Sequence, residues 1–190
     1  MTISMYNQVI AVTNRHLCND FLPQIEKVCK LHPKAIILRE KDLSEFEYLQ
    51  LAKKVLEICD TYQVPCILHS FINVAKELNY KKIHLPLSLL KENTNHLSEF
   101  TTIGCSIHSL DEAKEAINCG ATYLTAGHIY QTDCKKGMPP RGLSFLKDIC
   151  NHSLVPVYAI GGIHLDKTQF DEILSCGASG GCIMSGMMKL

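Results

Sequence analysis

Residues 127–142, GHIYQTDCKKGMPPRG, form a long polar stretch between two apolar runs. His128 is the group in this stretch best suited to chemistry, because a histidine titrates near neutral pH and can accept or donate a proton. It directly follows the small Gly127 at the end of an apolar run. We predict that His128 is a general acid/base; the alternative is a buried histidine that makes only structural hydrogen bonds.

Small residues near the carboxyl end of the chain indicate a phosphate site. Gly161 and Gly162 follow one apolar run, in IGGI, and Ser185 and Gly186 follow the next, in MSG. The backbone N–H groups of such small residues can approach an anion closely. We predict that these four residues bind phosphate; the alternative is a glycine pair that only makes a turn.

Arg39 and Lys41 are two cations at the end of another apolar run, separated by Glu40. If the chain stays extended there, both side chains point the same way, because side chains alternate along a strand. Together they could bind a phosphate, a pyrophosphate or a carboxylate. The alternative is a solvated strand end in which they pair with Glu40.

The remaining charge pattern argues against metal and nucleic-acid binding. No two histidines have the spacing of a helical zinc motif and no carboxylate cluster completes a metal site, so we predict no metal and no cofactor. Lysine plus arginine equals aspartate plus glutamate at 19 each, which disfavours a nucleic-acid-binding surface. Any anion must therefore be bound by a local site.

Short β-branched runs that alternate with helical patterns must position these residues. Eight runs read as strands, and the mean repeat of roughly 25 residues is the size of a βα unit. Strict alternation predicts a parallel sheet, and eight units favour a single closed (β/α)8 TIM barrel spanning residues 1–190; a doubly wound open sheet is the competitor. The predicted strands are Val9–Thr13, Ala35–Arg39, Pro65–His69, Lys82–Leu85, Thr102–Ser106, Tyr123–Gly127, Val157–Ile160 and Gly181–Met184. The predicted helices are Phe21–Leu31, Leu43–Tyr62, Ile72–Leu78, Leu87–Leu97, Leu110–Cys119, Leu143–Asn151 and Asp166–Cys176.

The active site of such a barrel lies at the carboxyl ends of its strands, where all the residues above stand. The loops after strands seven and eight, which carry the four small residues, are the usual phosphate-binding loops. Only SGMMKL follows Met184, so we expect the eighth helix to be absent or shortened. The last strand would then lack an outer cover of its own, and on that ground we predict a homodimer.

The composition indicates an ordinary intracellular protein, with 46% hydrophobic and 20% charged residues. The first residues, MTISMYNQ, lack the basic start and apolar run of a signal peptide, and no apolar run approaches the ~18 residues of a membrane span. The ten cysteines show no CxxC pair, and most lie inside apolar runs. We therefore predict reduced, core-filling thiols, a cytoplasmic location and no membrane partner.

Five segments resemble the thiamin phosphate synthase superfamily, (β/α) barrels of thiamin biosynthesis. They are LREK at 38–41, CSIHSLDEA at 105–113, AGHIYQTDCKKGMPPRGLSFL at 126–146, PVYAIGGI at 156–163 and GASGGCIMSG at 177–186. Within the superfamily, the strand-six loop looks more like that of the TenI-type thiazole tautomerases. Synthases typically carry G-P-[IV]-F-x-T-x-T-K there, whereas here His128 follows Gly127, and Thr132 and Lys135 are kept.

The magnesium site that the resemblance implies for synthases is changed in this chain. Synthases carry an aspartate in an N-D-R motif after strand three, where this chain has His69-Ser70-Phe71. They carry a second aspartate in H-L-G-Q-x-D, where this chain has Leu89 in the last position. Leucine offers no oxygen to a hard cation, so we expect slow departure of pyrophosphate and disfavour synthase activity.

The resemblance instead implies a tautomerase that moves a proton within a thiazole carboxylate phosphate and makes the ring aromatic. It implies that His128 is the acid/base and that the strand-six loop closes over the substrate and excludes water. Further substrate contacts are predicted at five positions: Arg39, Lys41, Ser106, Thr132 and Lys135. Two other functions stay open, a thiamin phosphate synthase and a non-catalytic regulator that binds thiamin phosphate.

Overall fold

The computed structural model of the protein describes residues 5–132, 135 and 137–190. Eight strands form a closed barrel in sequence order and alternate with helices, so the predicted (β/α)8 TIM barrel is confirmed. The strands are β1 (Val9–Val12), β2 (Ala35–Leu38), β3 (Cys66–His69), β4 (Lys82–Pro86), β5 (Thr102–Ile107), β6 (Tyr123–Gly127), β7 (Val157–Ile160) and β8 (Gly180–Ile183). The helices are α1 (Phe21–Cys29), α2 (Glu45–Thr61), α3 (Ile72–Glu77), α4 (Leu87–Asn93), α5 (Leu110–Asn118), α6 (Gly142–His152), α7 (Lys167–Ser175) and α8 (Ser185–Met188).

The chain divides into two compact units, one made of residues up to His84 with Met184–Leu190, the other of Leu85–Ile183. Residues 84 and 85, where the division falls, lie inside β4 and not in a linker. A single domain over the whole chain stays a prediction.

In the first unit, β1, β2 and β3 are parallel and buried along their whole length. The fully buried Tyr48 of α2 joins two of them, because its hydroxyl donates to Leu38 O at 2.6 Å and accepts from His69 N at 2.9 Å. α2 begins with a capping box in which Ser44 and Glu47 satisfy each other's backbone amides. These contacts fix where β2 and β3 end, which is where the predicted site residues begin.

The eighth helix is shortened, as expected: α8 has only four residues. Met187 and Met188 are nevertheless fully buried, and the Gln24 side chain of α1 donates to Met187 O at 2.7 Å. This hydrogen bond satisfies a carbonyl that so short a helix leaves without an internal partner.

In the second unit, β5, β6, β7 and β8 pair in parallel, and every residue of β8 is buried. A homodimer was predicted because the last strand was expected to be exposed, and β8 is buried instead. The homodimer therefore stays a prediction without that support. Ser109 caps α5, since its Oγ accepts from Glu112 N at 3.1 Å. Gly120 follows that helix with a φ of 94°, the left-handed conformation of a glycine terminator.

The predicted cysteine and membrane features can be compared with the described part of the chain. Cys66, Cys105 and Cys182 are buried free thiols, as expected of core-filling cysteines. No helix among the described residues is both long and apolar enough to cross a bilayer.

Candidate functional site

Glu40 is an anchor at the end of β2. The residue is 2% exposed, and its carboxylate accepts hydrogen bonds from the Thr13 hydroxyl at 2.6 Å, the Arg15 amide at 3.1 Å and the Arg15 guanidinium at 3.1 Å. The same guanidinium reaches Asp42 at 2.7 Å. Glu40 thus pairs with Arg15 and Thr13.

β2 ends at Leu38 and Lys41 lies in a turn, where Leu43 N donates to Glu40 O at 3.4 Å, so the extended chain expected over residues 39–41 is not kept. Leu38 pairs with Leu68 in the β2–β3 register, so Arg39 follows beside His69, and His69 pairs with His84 in the β3–β4 register. The two imidazole rings stack with centroids 5.5 Å apart. One arginine and two histidines therefore lie side by side at the carboxyl ends of β2, β3 and β4.

Electrostatics agree with this arrangement. Burial lowers the pKa of His84 to about 3, and the charges of Lys41 and then Arg39 add to the shift. Burial also lowers the pKa of His69 well below its usual value, with His84, Lys41 and Arg39 contributing. The charges of both cations therefore act on the histidine pair, which is neutral at neutral pH.

The donors at the family's magnesium positions do not fit that ion. Ser70 Oγ is hydrogen-bonded to His69 Nδ1 at 2.7 Å, and Leu89 on α4 has no donor atom in its side chain. Among the described residues, no cluster of three or more histidine, cysteine, aspartate or glutamate side chains is placed to hold a metal. Magnesium needs carboxylate or other oxygen ligands, whereas two cations lie at this end of the unit.

His128 is a buried residue of the second unit that packs against the β7 loop. It is 8% exposed, and its Nε2 is buried with no hydrogen-bond partner among the described residues. A Cβ on Gly161 would stand 2.2 Å from His128 Cβ, and a Cβ on Gly162 would stand 2.4 Å from Gln131 O. Packing therefore explains why both positions are glycine, because the loop that carries His128 lies directly against them.

The glycine pair is also consistent with anion binding. Gly161 O accepts from Tyr130 N at 3.0 Å and Gly162 O accepts from the Gln169 side chain at 3.2 Å. The Gly162 amide, in contrast, has no partner within the part of the chain that the structure describes. Ser185 and Gly186, the other predicted phosphate residues, belong to the first unit, where they start α8.

The strand-six loop is fastened at both ends. Its first residues bond to β7 and its loop, from Ile129 N to Ile160 O and from Tyr130 N to Gly161 O, each at 3.0 Å. Its last residues bond back to its first, since Arg141 N donates to His128 O at 2.9 Å. Backbone hydrogen bonds therefore fix the base of the loop.

The remaining predicted contacts lie in the second unit. Lys135 is exposed and its amide donates to Thr132 O at 3.1 Å. The half-buried Ser106 of β5 accepts from the Thr125 hydroxyl at 3.2 Å. Three residues of the loop motif, Asp133, Cys134 and Lys136, lie outside the described residues.

Sequence reasoning placed His69 and His84 at strand ends but gave neither a role. One sequence feature could have indicated a joint role. Each of the two histidines is the last polar residue of its buried strand, and the two strands are consecutive. Their stacking depends on the register between those strands, which periodicity alone does not give. The anchoring role of Glu40 was missed for the same reason, because Arg15 and Thr13 belong to a different strand and its loop.

A family model, two relatives and a solved structure all indicate the same protein family. The family model described as Thiamine monophosphate synthase matches residues 9–187. Thiamine-phosphate synthase 2 of Streptococcus pneumoniae is 34% identical over 185 residues, covering 94% of this chain and 86% of the relative. The thiamine-phosphate synthase of Clostridium acetobutylicum is 34% identical over 183 residues, covering 94% and 85%. A solved thiamine phosphate pyrophosphorylase from Pyrococcus furiosus has a TM-score of 0.81 at 26% identity and covers 100% of this chain and 91% of its own.

These relatives overturn the prediction of a thiazole tautomerase. They are named as synthases, which are transferases, so the predicted isomerase is wrong, and the match supports the family and not the TenI-type branch. The prediction gave the missing magnesium carboxylates decisive weight. It neglected that fixed cations can also stabilise a departing anion.

Proposed function

We propose that this chain, which belongs to the thiamine monophosphate synthase family, is a thiamine-phosphate synthase. It would join a pyrimidine diphosphate to a thiazole phosphate and release pyrophosphate. The observation that carries the proposal is the 34% identity, over 94% of the chain, to a relative that bears this name. The closed barrel with charged and imidazole groups at its strand ends supports the same conclusion.

Both substrates in this reaction carry phosphate, so the site must supply positive charge and N–H donors. In the first unit, Arg39 and Lys41 supply charge at the end of β2. In the second unit, the amide of Gly162 is a donor without a described partner. We assign Arg39 and Lys41 to the diphosphate. Gly161 and Gly162 in the second unit, and Ser185 and Gly186 in the first, are each assigned to phosphate binding.

His128 is the residue we assign to direct contact with substrate in the second unit. A buried imidazole nitrogen without a partner costs free energy, and a bound ligand that hydrogen-bonds it removes that cost. Histidine can also hold or release a proton there, so we keep it as the acid/base. Ser106, Thr132 and Lys135 are assigned to the substrate as further polar contacts.

One observation favours a second function, a regulator that binds thiamin phosphate without turnover. Ser70 and Leu89 stand where synthases of this family carry aspartates, and neither residue can replace a carboxylate as a metal ligand. A retained barrel that binds ligand does not have to retain catalysis.

The test is formation of thiamin phosphate by the purified full-length protein from the two substrates, with and without Mg²⁺. We expect product from the parent and a loss of at least about a hundredfold in kcat/KM for His128→Asn. His152→Asn is the matched control, because His152 is an exposed histidine of the same unit. Binding of thiamin phosphate without any product formation would overturn the synthase and leave the regulator.

A further inference from the structure

The Gln169 side chain of α7 bridges two points of the loop that follows β7. Its Nε2 donates to Gly162 O at 3.2 Å, and its Oε1 accepts from His164 N at 2.8 Å. We propose that Gln169 is a positioning residue, which holds the Gly162–Ile163 peptide so that the Ile163 amide is presented to the phosphate of a bound ligand. The proposal rests on the proposed function in that this phosphate would be the one on the thiazole substrate.

Helix capping does not account for what the Gln169 side chain does. Gln169 is the third residue of α7, after the N-cap Asp166, whose carboxylate accepts from Gln169 N at 2.9 Å. In a capping box, the side chain at this position returns to the amide of the N-cap residue. Gln169 instead reaches past Asp166 to the loop. Only one orientation of its carboxamide places the acceptor at His164 N and the donor at Gly162 O.

Two successive carbonyl groups of the loop are held in this way. Gly161 O accepts from Tyr130 N at 3.0 Å, and Gly162 O accepts from Gln169. The peptide bonds that contain these carbonyls are trans, so each N–H points opposite to its C=O. The Gly162 amide is therefore directed away from Tyr130, and the Ile163 amide away from Gln169. Neither amide has a hydrogen-bond partner in the part of the chain that the structure describes.

A peptide beside glycine needs such a holder, because glycine makes it easy to rotate. Gly162 has a φ of 69°, and glycine adopts positive and negative φ about equally readily. Rotation of the Gly162–Ile163 peptide would exchange the places of its carbonyl and its amide. A carbonyl oxygen would then face the phosphate and repel it. The hydrogen bond from Gln169 opposes this rotation, because rotation would break it.

The same helix also fixes the residue that holds the other carbonyl. The Tyr130 hydroxyl donates to Glu172 Oε2 at 2.6 Å, and Glu172 follows Gln169 by one turn of α7. The Tyr130 amide that holds Gly161 O thus belongs to a residue that is itself tied to α7. One helix therefore orients both peptides. A phosphate is the ligand that suits the two amides, because its peripheral oxygens are charged hydrogen-bond acceptors.

The experiment is titration of inorganic phosphate into the ¹⁵N-labelled full chain, followed by the backbone amide signals of Gly162 and Ile163. Both signals should shift in the parent as phosphate is added. Gln169→Met keeps the length and the neutrality of the side chain but removes both hydrogen bonds. Phosphate should therefore bind at least about tenfold more weakly, because a donor to a charged group is lost. Gln50→Met makes the same change at an exposed position of α2 and should bind phosphate as the parent does.

Steady-state kinetics separate positioning from a general loss of structure. Gln169→Met should raise KM for the thiazole phosphate at least about tenfold, with kcat and KM for the pyrimidine diphosphate kept. A side chain that served only the structure would, when replaced, raise KM for both substrates and lower kcat. Circular dichroism of the variant checks that it is folded.

The outcomes distinguish this inference from the synthase proposal. Weaker phosphate binding in Gln169→Met and not in Gln50→Met supports the inference, even when the parent forms no thiamin phosphate. Unchanged phosphate affinity in Gln169→Met overturns it, even when product is formed. Gly162 and Ile163 signals that do not respond to phosphate in the parent also overturn it, as does an equal rise of KM for both substrates.

Discussion

Acidification should destabilise the protein through His84. This histidine is 2% exposed, and burial followed by the charges of Lys41 and Arg39 lowers its pKa to about 3. In the unfolded chain its pKa returns to about 6.5. Because the folded state holds the neutral form, the unfolded state takes up the proton first as the pH falls, and stability is lost below about pH 6.5.

The magnitude follows from the difference between the two pKa values. Near pH 5 the unfolded histidine is almost fully protonated, whereas the folded one, with a pKa of about 3, is still neutral. One pKa unit corresponds to about 1.4 kcal/mol, so the roughly 1.5 units between pH 6.5 and pH 5 lower the free energy of unfolding by about 2 kcal/mol. That is a large share of the stability of a typical domain.

Urea unfolding near pH 7 and near pH 5 measures this loss in the parent and in His84→Gln. We compare the change with pH and not the absolute stability, because the substitution alters packing at both pH values. The parent should lose about 2 kcal/mol more than His84→Gln. His152→Gln, which replaces an exposed histidine, should lose as much as the parent. Equal losses in the parent and His84→Gln would refute the reasoning that His84 is buried in its neutral form beside two cations.

Three further substitutions test the packing around His128 and the capping of α2. Gly161→Ala and Gly120→Ala both place alanine at a φ near 95°, but only the first adds a Cβ 2.2 Å from His128 Cβ. Chemical denaturation should show Gly161→Ala to be the less stable by roughly 1–3 kcal/mol, and equal stabilities would contradict the close approach. Ser44→Ala removes the cap of α2 and should cost about 1 kcal/mol by the same measurement, whereas an unchanged midpoint would show that the capping box contributes nothing.

The fold was predictable from sequence because each strand is a short buried run and each helix has an apolar face. β6 and β7 lie where the β-branched runs placed them, at Tyr123–Gly127 and Val157–Ile160. The fourth helix was predicted too long: α4 ends at Asn93, and a 3-10 turn occupies Thr94–His96. Apolar spacing does not distinguish the end of an α-helix from a tighter turn that continues it.

The site was predictable only in part. Its residues could be placed at strand ends, because the carboxyl ends of parallel strands share one edge. Two other features could not be predicted: the stacking of His69 on His84, and the hydrogen bonding of Glu40 to Thr13. Both depend on pairing between segments that are distant in sequence. From the sequence, phosphate binding alone seemed to explain the glycine pair. The structure adds a second reason, because Gly161 makes room for His128.

The predicted activity was wrong because it was inferred from two missing carboxylates. That inference treats one way of neutralising a leaving group as if it were the only one. Fixed cations are another way, and the charges of Arg39 and Lys41 act on the histidine pair.

The most direct measurement of the central claim is ³¹P NMR of the purified protein mixed with the pyrimidine diphosphate and the thiazole phosphate. The account predicts that the diphosphate signals of the pyrimidine substrate disappear while pyrophosphate and thiamin phosphate appear in equal amounts. Substrate signals that persist unchanged, with and without Mg²⁺, would contradict the synthase.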